Sequence, residues 1–224
     1  MTDPPDDLRG AFRRGGTADV LRMAGAEVAR ARAAGDPAGE VEGLYAMARV
    51  ALRGDDLPRA GELARSALEV AVRAGDRRLE ERPRHVLAAV ARLAGDWPAA
   101  RERYLAGIAL NEELGQPEQA NSERYNLAFV ELHLGNRDEA RQLIATVRAG
   151  RHSLGPYLDV AAAALASADG DQAGAARLVG AVDRAFAAIG QVPDPDDAAE
   201  LSRIRAAAVA ALGEAAFARE HAAG

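Results

Sequence analysis

Apolar residues recur along most of this chain at the three- and four-residue spacing that places them on one side of a helix. Residues 17–34 are typical, because Val20, Ala24, Val28 and Ala31 form one apolar stripe among charged residues. Similar stripes follow, and they consist mainly of alanine, leucine and valine. The pattern predicts an all-α protein with helix almost throughout.

Two series of turn residues divide these helices at a regular interval. The first series is spaced 40, 40 and 35 residues apart: Asp55-Asp56, Gly95-Asp96, Gly135-Asn136 and Gly170-Asp171. An alanine follows each of these turns at the same offset, at Ala60, Ala100, Ala140 and Ala175. The second series is Gly35, Gly75, Gly115, Gly150 and Gly190. Two series with one period predict a repeat protein built from antiparallel helix pairs.

This register predicts where the helices begin and end. Residues 1–7 are expected to be a disordered lead, and Asp6 or Asp7 caps a short helix after it. Prolines mark later starts at Pro37, Pro58 and Pro117. The other predicted helices cover about residues 17–34, 97–114, 138–148, 157–168, 173–189, 197–212 and 214–221. The predicted domains are a flexible or weakly helical lead (1–14), a repeat domain (15–212) and a short C-terminal capping helix (213–224).

The register has three irregular places. Pro83 lies inside a predicted helix, so that helix either starts near Arg82 or is kinked there. The helix at 138–148 is five residues shorter than its counterparts, which explains the 35-residue step. Residues 153–156 form a loop or a broken helix start.

Composition excludes several kinds of chemistry. The chain has no cysteine, so disulfides and thiolate metal sites are excluded, and all 28 basic residues are arginine. Without lysine there is no phosphate-binding loop and no Schiff-base residue. The net charge of −6, without a long basic block, predicts no direct nucleic-acid partner. We expect a cytoplasmic protein with no membrane partner, because the start has no signal peptide and no run of about 18 apolar residues occurs.

Small residues at fixed repeat positions resemble the tetratricopeptide repeat in a long, 40-residue version. Ala48, Ala88, Ala128 and Ala163 occupy the small position of each first helix, after Met47, Leu87, Leu127 and Ala162. The resemblance covers about residues 17–212, although the usual first-helix tryptophan and most second-helix prolines are missing. It implies a right-handed superhelix (solenoid) of about four to five repeats. It also implies a non-catalytic scaffold or adaptor that binds a peptide or protein segment in a concave groove lined by the first helices.

A second resemblance covers residues 175–220. The segments 175–181, 188–190 and 212–218 resemble the C-terminal end of large bacterial ATPase-type transcription regulators. In that family a helical-repeat sensor accompanies nucleotide-binding and DNA-binding domains. The resemblance implies, as the alternative function, a regulatory sensor arm that binds a small-molecule effector.

The tetratricopeptide resemblance assigns the residues that face the groove. The predicted groove residues are Tyr45, Arg49, Arg53, Arg82, His85, Arg92, Tyr125, Asn126, Phe129 and His133, with Tyr157 in the fourth repeat. Arginines among aromatic rings suit a partner that is acidic or has a free C-terminus. In the alternative, Tyr45, Tyr125 and Phe129 pack between repeats and the arginines are solvated. Asn126 occupies a position where peptide-clamping members of the family often carry asparagine.

No residue pattern predicts catalysis, a metal or a cofactor. The sequence has no H-x-x-x-H, H-E-x-x-H or G-x-S-x-G motif. His85 and His133 lie on the predicted groove side, whereas His152 and His221 lie in a loop and in the tail. The exposed apolar end of the incomplete N-terminal repeat makes a homodimer an open alternative.

Overall fold

The computed structural model describes residues 7–150 and 155–224, and the prediction of an all-α protein is confirmed for them. These ranges form twelve α-helices and one short 3-10 helix, without a strand. The predictions for the first six residues, for His152 and for the loop at 153–154 lie outside the described residues. None of the described helices is long and apolar enough to span a bilayer.

The chain divides into two compact units, Met1–Arg103 and Tyr104–Gly224. The helices of unit 1 are α1 (Leu8–Arg13), α2 (Thr17–Ala34), α3 (Pro37–Arg53), α4 (Leu57–Ala74), the 3-10 helix (Arg77–Glu80) and α5 (Glu81–Leu93). The division between the units falls within α6 (Trp97–Glu113). The helices of unit 2 are α7 (Pro117–His133), α8 (Arg137–Ala149), α9 (Tyr157–Ala168), α10 (Gln172–Ala188), α11 (Pro195–Leu212) and α12 (Glu214–Ala223).

Aspartates fix several of the helix starts. The Asp36 carboxylate accepts a hydrogen bond from the Gly39 N–H at 3.0 Å, and Asp56 accepts one from Arg59 N–H at the same distance. Asp7, rather than Asp6, caps α1 in the same way. Each carboxylate satisfies one of the N–H groups that the first helical turn leaves without a partner. These starts were predictable because a cap depends on residues only three positions apart.

The first series of turn residues shares one backbone conformation. Gly95, Gly135 and Gly170 have φ values of 75°, 85° and 86°, in the left-handed region that glycine adopts without strain. Asp55 occupies the same place with φ of 59° and is the one non-glycine residue with positive φ among residues 7–150 and 155–224. In the second series Gly150 differs from its counterparts, because its φ is −63° and its backbone is extended.

We expect Asp55→Gly to stabilise the chain. An L-residue other than glycine pays roughly 1–2 kcal/mol in the left-handed region, and glycine's extra freedom in the unfolded state offsets part of that gain. The free energy of unfolding in urea should therefore rise by about 0.5–1 kcal/mol. Gly135→Asp makes the reverse change where a Cβ would meet no atom within 4 Å. Gly135→Asp should lower the free energy of unfolding. A change of the same sign in both variants would contradict this account of the turn.

The two irregular helices have local explanations. The 3-10 helix Arg77–Glu80 comes first and α5 starts at Glu81, which puts Pro83 in the first turn, where no N–H is needed. Of the two alternatives predicted for Pro83, the structure shows a helix that starts beside it rather than a kink. Helix α8 has 13 residues, whereas α4 has 18 and α6 and α10 have 17, so it is four or five residues shorter than its counterparts, in agreement with the predicted origin of the 35-residue step.

The small residues of the repeat positions are buried within each unit. In unit 1, Ala48 and Ala60 have no exposed surface, and in unit 2 the same holds for Ala128 and Ala140. A Cβ on Gly43 would lie 2.6 Å from Val28 Cγ2, so α2 and α3 approach closely there. Bulkier side chains at such positions would force the helices apart.

Candidate functional site

Helices α3 and α7 occupy the same place in the repeat. Both have 17 residues, and α7 begins and ends 80 residues after α3, which is two 40-residue periods. Tyr45 therefore corresponds to Tyr125, Arg49 to Phe129, and Arg53 to His133. We define the α3–α5 face of unit 1 as Tyr45, Arg49, Arg53 and Arg82, and the α7–α9 face of unit 2 as Tyr125, Phe129, His133 and Tyr157.

On the α3–α5 face, two guanidinium groups lie near the ring of Tyr45. Arg82 Cζ is 5.3 Å from the ring centroid and Arg49 Cζ is 5.6 Å from it. These distances are within the range of cation–π attraction. The Arg82 guanidinium also pairs with Glu42, and 45% of its side chain remains exposed. The structure thus brings together Tyr45, Arg49 and Arg82 from the predicted groove, on a partly exposed surface.

A second positive charge acts on Arg82. Partial burial, and then the nearby Arg9 guanidinium, lower the pKa of Arg82. Arg9 is exposed on α1. Glu42 already supplies one carboxylate to Arg82, but Arg9 and Arg82 together outnumber it, so this surface is electrostatically suited to a further carboxylate or a phosphate.

Helix α1 covers the end of the same face. The ring of Phe12 is contacted by the guanidinium groups of Arg49, at 3.8 Å from the centroid, and of Arg53, at 3.7 Å. Arg53 also donates a hydrogen bond from Nη1 to the Phe12 carbonyl oxygen at 2.6 Å. Arg53 therefore holds α1 in place, whereas Arg49 lies between α1 and Tyr45.

The other two predicted residues of unit 1 lie on α5. His85 is partly exposed, three residues after Arg82 and so on the same side of the helix. Arg92 has an exposed fraction of only 1%. The sequence predicted that Arg92 either faces the groove or is solvated. Because its side chain is buried, both predictions are corrected for this arginine. A long side chain near a helix end can bury fully when its charge is compensated.

In unit 2 the predicted aromatic residues are buried. Tyr125, Asn126 and Phe129 have exposed fractions of 5%, 6% and 1%. Tyr125 makes edge-to-face contacts with Phe129, at 5.0 Å between centroids, and with Tyr157, at 6.2 Å. Tyr157 continues the series to Phe186 at 5.2 Å. This geometry favours the packing alternative for Tyr125 and Phe129.

Helix α11 of the same unit covers the α7–α9 face. The Tyr125 hydroxyl donates a buried hydrogen bond to Asp197 Oδ1 at 2.7 Å. His133 Nε2 lies 3.0 Å from Glu200 Oε2, and Arg203 Nη1 lies 3.2 Å from the same oxygen. Leu201 is buried in the same core as Tyr125 and Phe129. The side of α7 predicted to line a groove is thus occupied by a helix of the chain itself.

Asn126 makes its hydrogen bond within α7. Its Nδ2 donates to the Ser122 carbonyl oxygen at 3.1 Å, one turn earlier. A buried amide that bonds to its own helix is satisfied without a ligand. The peptide-clamp role that the family resemblance implies for Asn126 stays a prediction.

Sequence reasoning missed the acidic residues of α11. Asp196, Asp197 and Glu200 are buried, although carboxylates usually stay in water. Their only signal was a group of acids at the start of an alanine-rich helix, which is also what ordinary helix capping produces. Among residues 7–150 and 155–224, no three histidine or acidic side chains converge as metal ligands.

The comparisons give a likeness of fold. No protein-family model and no curated protein matches this sequence. The crystal structure of BtubC (BKLC) from P. vanneervenii is similar, with a TM-score of 0.58, over 91% of this chain and 87% of that chain. The two sequences are 20% identical, so the likeness concerns the fold alone.

Proposed function

We propose that the chain is a non-catalytic protein-interaction module of the tetratricopeptide type, with helix pairs repeating over residues 15–212. Its binding surface is the α3–α5 face, which takes a segment of a partner protein. One observation carries the proposal: the guanidinium groups of Arg82 and Arg49 lie 5.3 Å and 5.6 Å from the ring centroid of Tyr45 on a partly exposed surface. Arginine and tyrosine together are typical of residues that dominate protein interfaces.

The charges of the surface define the kind of contact. Arginine binds carboxylates through two parallel hydrogen bonds and stacks on aromatic rings, so it gives both charge and orientation. The approach of Arg9 to Arg82 adds positive charge to the same region. A carboxylate-bearing segment would reduce the repulsion between these arginines and complete the contacts around Tyr45.

We expect Arg82→Glu to reduce partner capture by at least about tenfold, because the variant places a further negative group beside Glu42 and the partner's carboxylates. The measurement is affinity capture from native lysate with quantitative mass spectrometry. Arg73→Glu is the matched control, because it makes the same charge change in the same unit, at an exposed position of α4. Circular dichroism shows whether both variants keep their helix content.

Equal capture by Arg82→Glu and Arg73→Glu would contradict the assignment of this surface. Recovery of no specific protein, together with a metabolite-dependent rise in melting temperature, would instead support the sensor arm that the resemblance of residues 175–220 implies. That alternative is favoured by the two polar contacts of α11 with Tyr125 and His133, which a small effector can replace, beside the apolar contacts of Leu201 and Ile204.

A further inference from the structure

We propose that the α3–α5 face binds an acidic amphipathic helix, in the way that the α7–α9 face binds α11. This inference rests on the proposed function, since it names the chemistry of the partner that the same surface takes. It starts from a comparison within the chain. Tyr125 and Phe129 of one face are buried in the core to which α11 contributes, whereas their counterparts Tyr45 and Arg49 are partly exposed.

The correspondence extends to the second helix of each face. Helices α5 and α9 end at Leu93 and Ala168, which are 75 residues apart, the sum of one 40-residue and one 35-residue step. Arg82 therefore corresponds to Tyr157. Arg82 lies 5.3 Å from the Tyr45 ring, and the Tyr157 ring lies 6.2 Å from the Tyr125 ring. The two faces place the same pair of positions against each other.

The way α11 binds shows which side chains such a face accepts. Asp197 accepts the hydrogen bond of the tyrosine hydroxyl, and Glu200 lies against His133. Leu201 and Ile204 are buried in the same core. These four residues stand at positions i, i+3, i+4 and i+7, which is one side of a helix. The recognised pattern is therefore two carboxylates followed by two large apolar residues.

Three of the four defining positions differ, and each carries an arginine in unit 1, while Glu42, which pairs with Arg82 and stands where unit 2 has Ser122, offsets one of these charges. Phe129 corresponds to Arg49, and Tyr157 corresponds to Arg82. The tyrosine that bonds to Asp197 is retained as Tyr45. Since a cationic face is complementary to acids, the helix that binds unit 1 should depend on its carboxylates more strongly than α11 does. Its binding should also weaken as salt is added.

A helix is the occupant that this comparison favours. An extended peptide with a free C-terminal carboxylate would also suit two arginines. However, the occupant that the chain itself supplies on the corresponding face is a helix, and it is held by side-chain carboxylates. We therefore assign the α3–α5 face to an internal helical segment of the partner rather than to a chain terminus.

The test uses a peptide with the sequence of residues 194–212, labelled with fluorescein through its N-terminal amine and amidated at its C-terminus, so that neither end has a free amine or carboxylate. Fluorescence anisotropy measures its binding to the full chain at low salt. We expect saturable binding that Arg82→Glu weakens at least about tenfold and Tyr45→Phe weakens severalfold, since the latter loses one hydroxyl donor. Arg73→Glu should leave the dissociation constant unchanged.

Changes in the peptide separate its charge from its shape. Asp197→Asn with Glu200→Gln removes both carboxylates and should weaken binding at least about tenfold. Ala206→Pro keeps the charges but breaks the helix, and it should weaken binding as well. The assignment to a helix would be overturned if a peptide with a free C-terminal carboxylate bound through Arg82 while the helical peptide did not bind.

Two further results distinguish the failure of this inference from that of the proposed function. Stronger binding of the unchanged peptide to the chain with Asp197→Asn, which weakens the hold of α11 but leaves Tyr125 in place, would mean that the peptide replaces α11 in unit 2, and would overturn the assignment to unit 1. No saturable binding of the peptide, while Arg82→Glu still abolishes partner capture, would refute the acidic helix and leave the interaction surface in place. Failure of both experiments would refute both proposals.

Discussion

Phe129→Ala is expected to lower the free energy of unfolding by about 3–5 kcal/mol, because it removes a fully buried ring and leaves a cavity. The ring of Phe129 has 1% of its surface exposed and contacts Tyr125 edge to face. It belongs to the core that α11 closes through Leu201 and Ile204. Equilibrium unfolding in urea, followed by circular dichroism, measures the change.

Arg49→Ala is the matched control, because Arg49 has the same repeat position in α3. Arg49 is partly exposed and contacts the rings of Phe12 and Tyr45. Losing these contacts should cost about 1–2 kcal/mol, since one is with the buried ring of Phe12, which is still well below the loss expected for Phe129→Ala. If the two variants lost similar free energies of unfolding, α11 would not bury the α7–α9 face in solution.

Gly180→Ala is expected to release α12 from α10. A Cβ on Gly180 would lie 1.9 Å from the His221 carbonyl oxygen, and a backbone atom there has no room to yield unless the helix moves. None of the residues of α12 is buried, and the helix is held by contacts such as His221 Nε2 to Asp183 Oδ2 at 2.8 Å. A ten-residue helix that loses its partner is marginal in water. Hydrogen exchange of the amides of α12 should therefore lose its protection.

Gly25→Ala serves as the comparison for this variant. Gly25 lies within α2, and a Cβ there would meet no atom within 4 Å. The same substitution should raise stability by about 0.5–1 kcal/mol, because alanine is the better helix former. Full exchange protection of α12 in the Gly180→Ala chain would show that the close approach of α10 and α12 does not exist in solution.

Much of the helical layout was predictable because its signals are local. Caps such as Asp36, prolines such as Pro37 and left-handed turn glycines such as Gly95 act over three or four residues, and the repeat copies them along the chain. The predicted bounds agree with the structure to within about two residues, and α2 and α9 agree at both ends. The buried small residues were predictable for the same reason, since they repeat with the turns.

The candidate site was predictable only in part. The grouping of Tyr45, Arg49 and Arg82 follows from the register, because neighbouring first helices lie side by side. The contact of Arg53 with α1 could not be predicted from the register. Helix α1 stands outside the regular repeat and contacts α3 through Phe12. The burial of Arg92 could not be predicted either, because it depends on the side chains packed around Arg92 and not on its position in the repeat.

The helices, their turns and the equivalence of Tyr45 and Tyr125 follow from the order of residues along the chain. The different surroundings of the two tyrosines follow from the packing of the helices, which leaves Tyr45 partly exposed near two arginines and buries Tyr125 against α11, where it bonds to Asp197. The physical reason is that period and capping depend on residues close in sequence. Which side chains are covered depends on where a segment 72 residues away returns to pack.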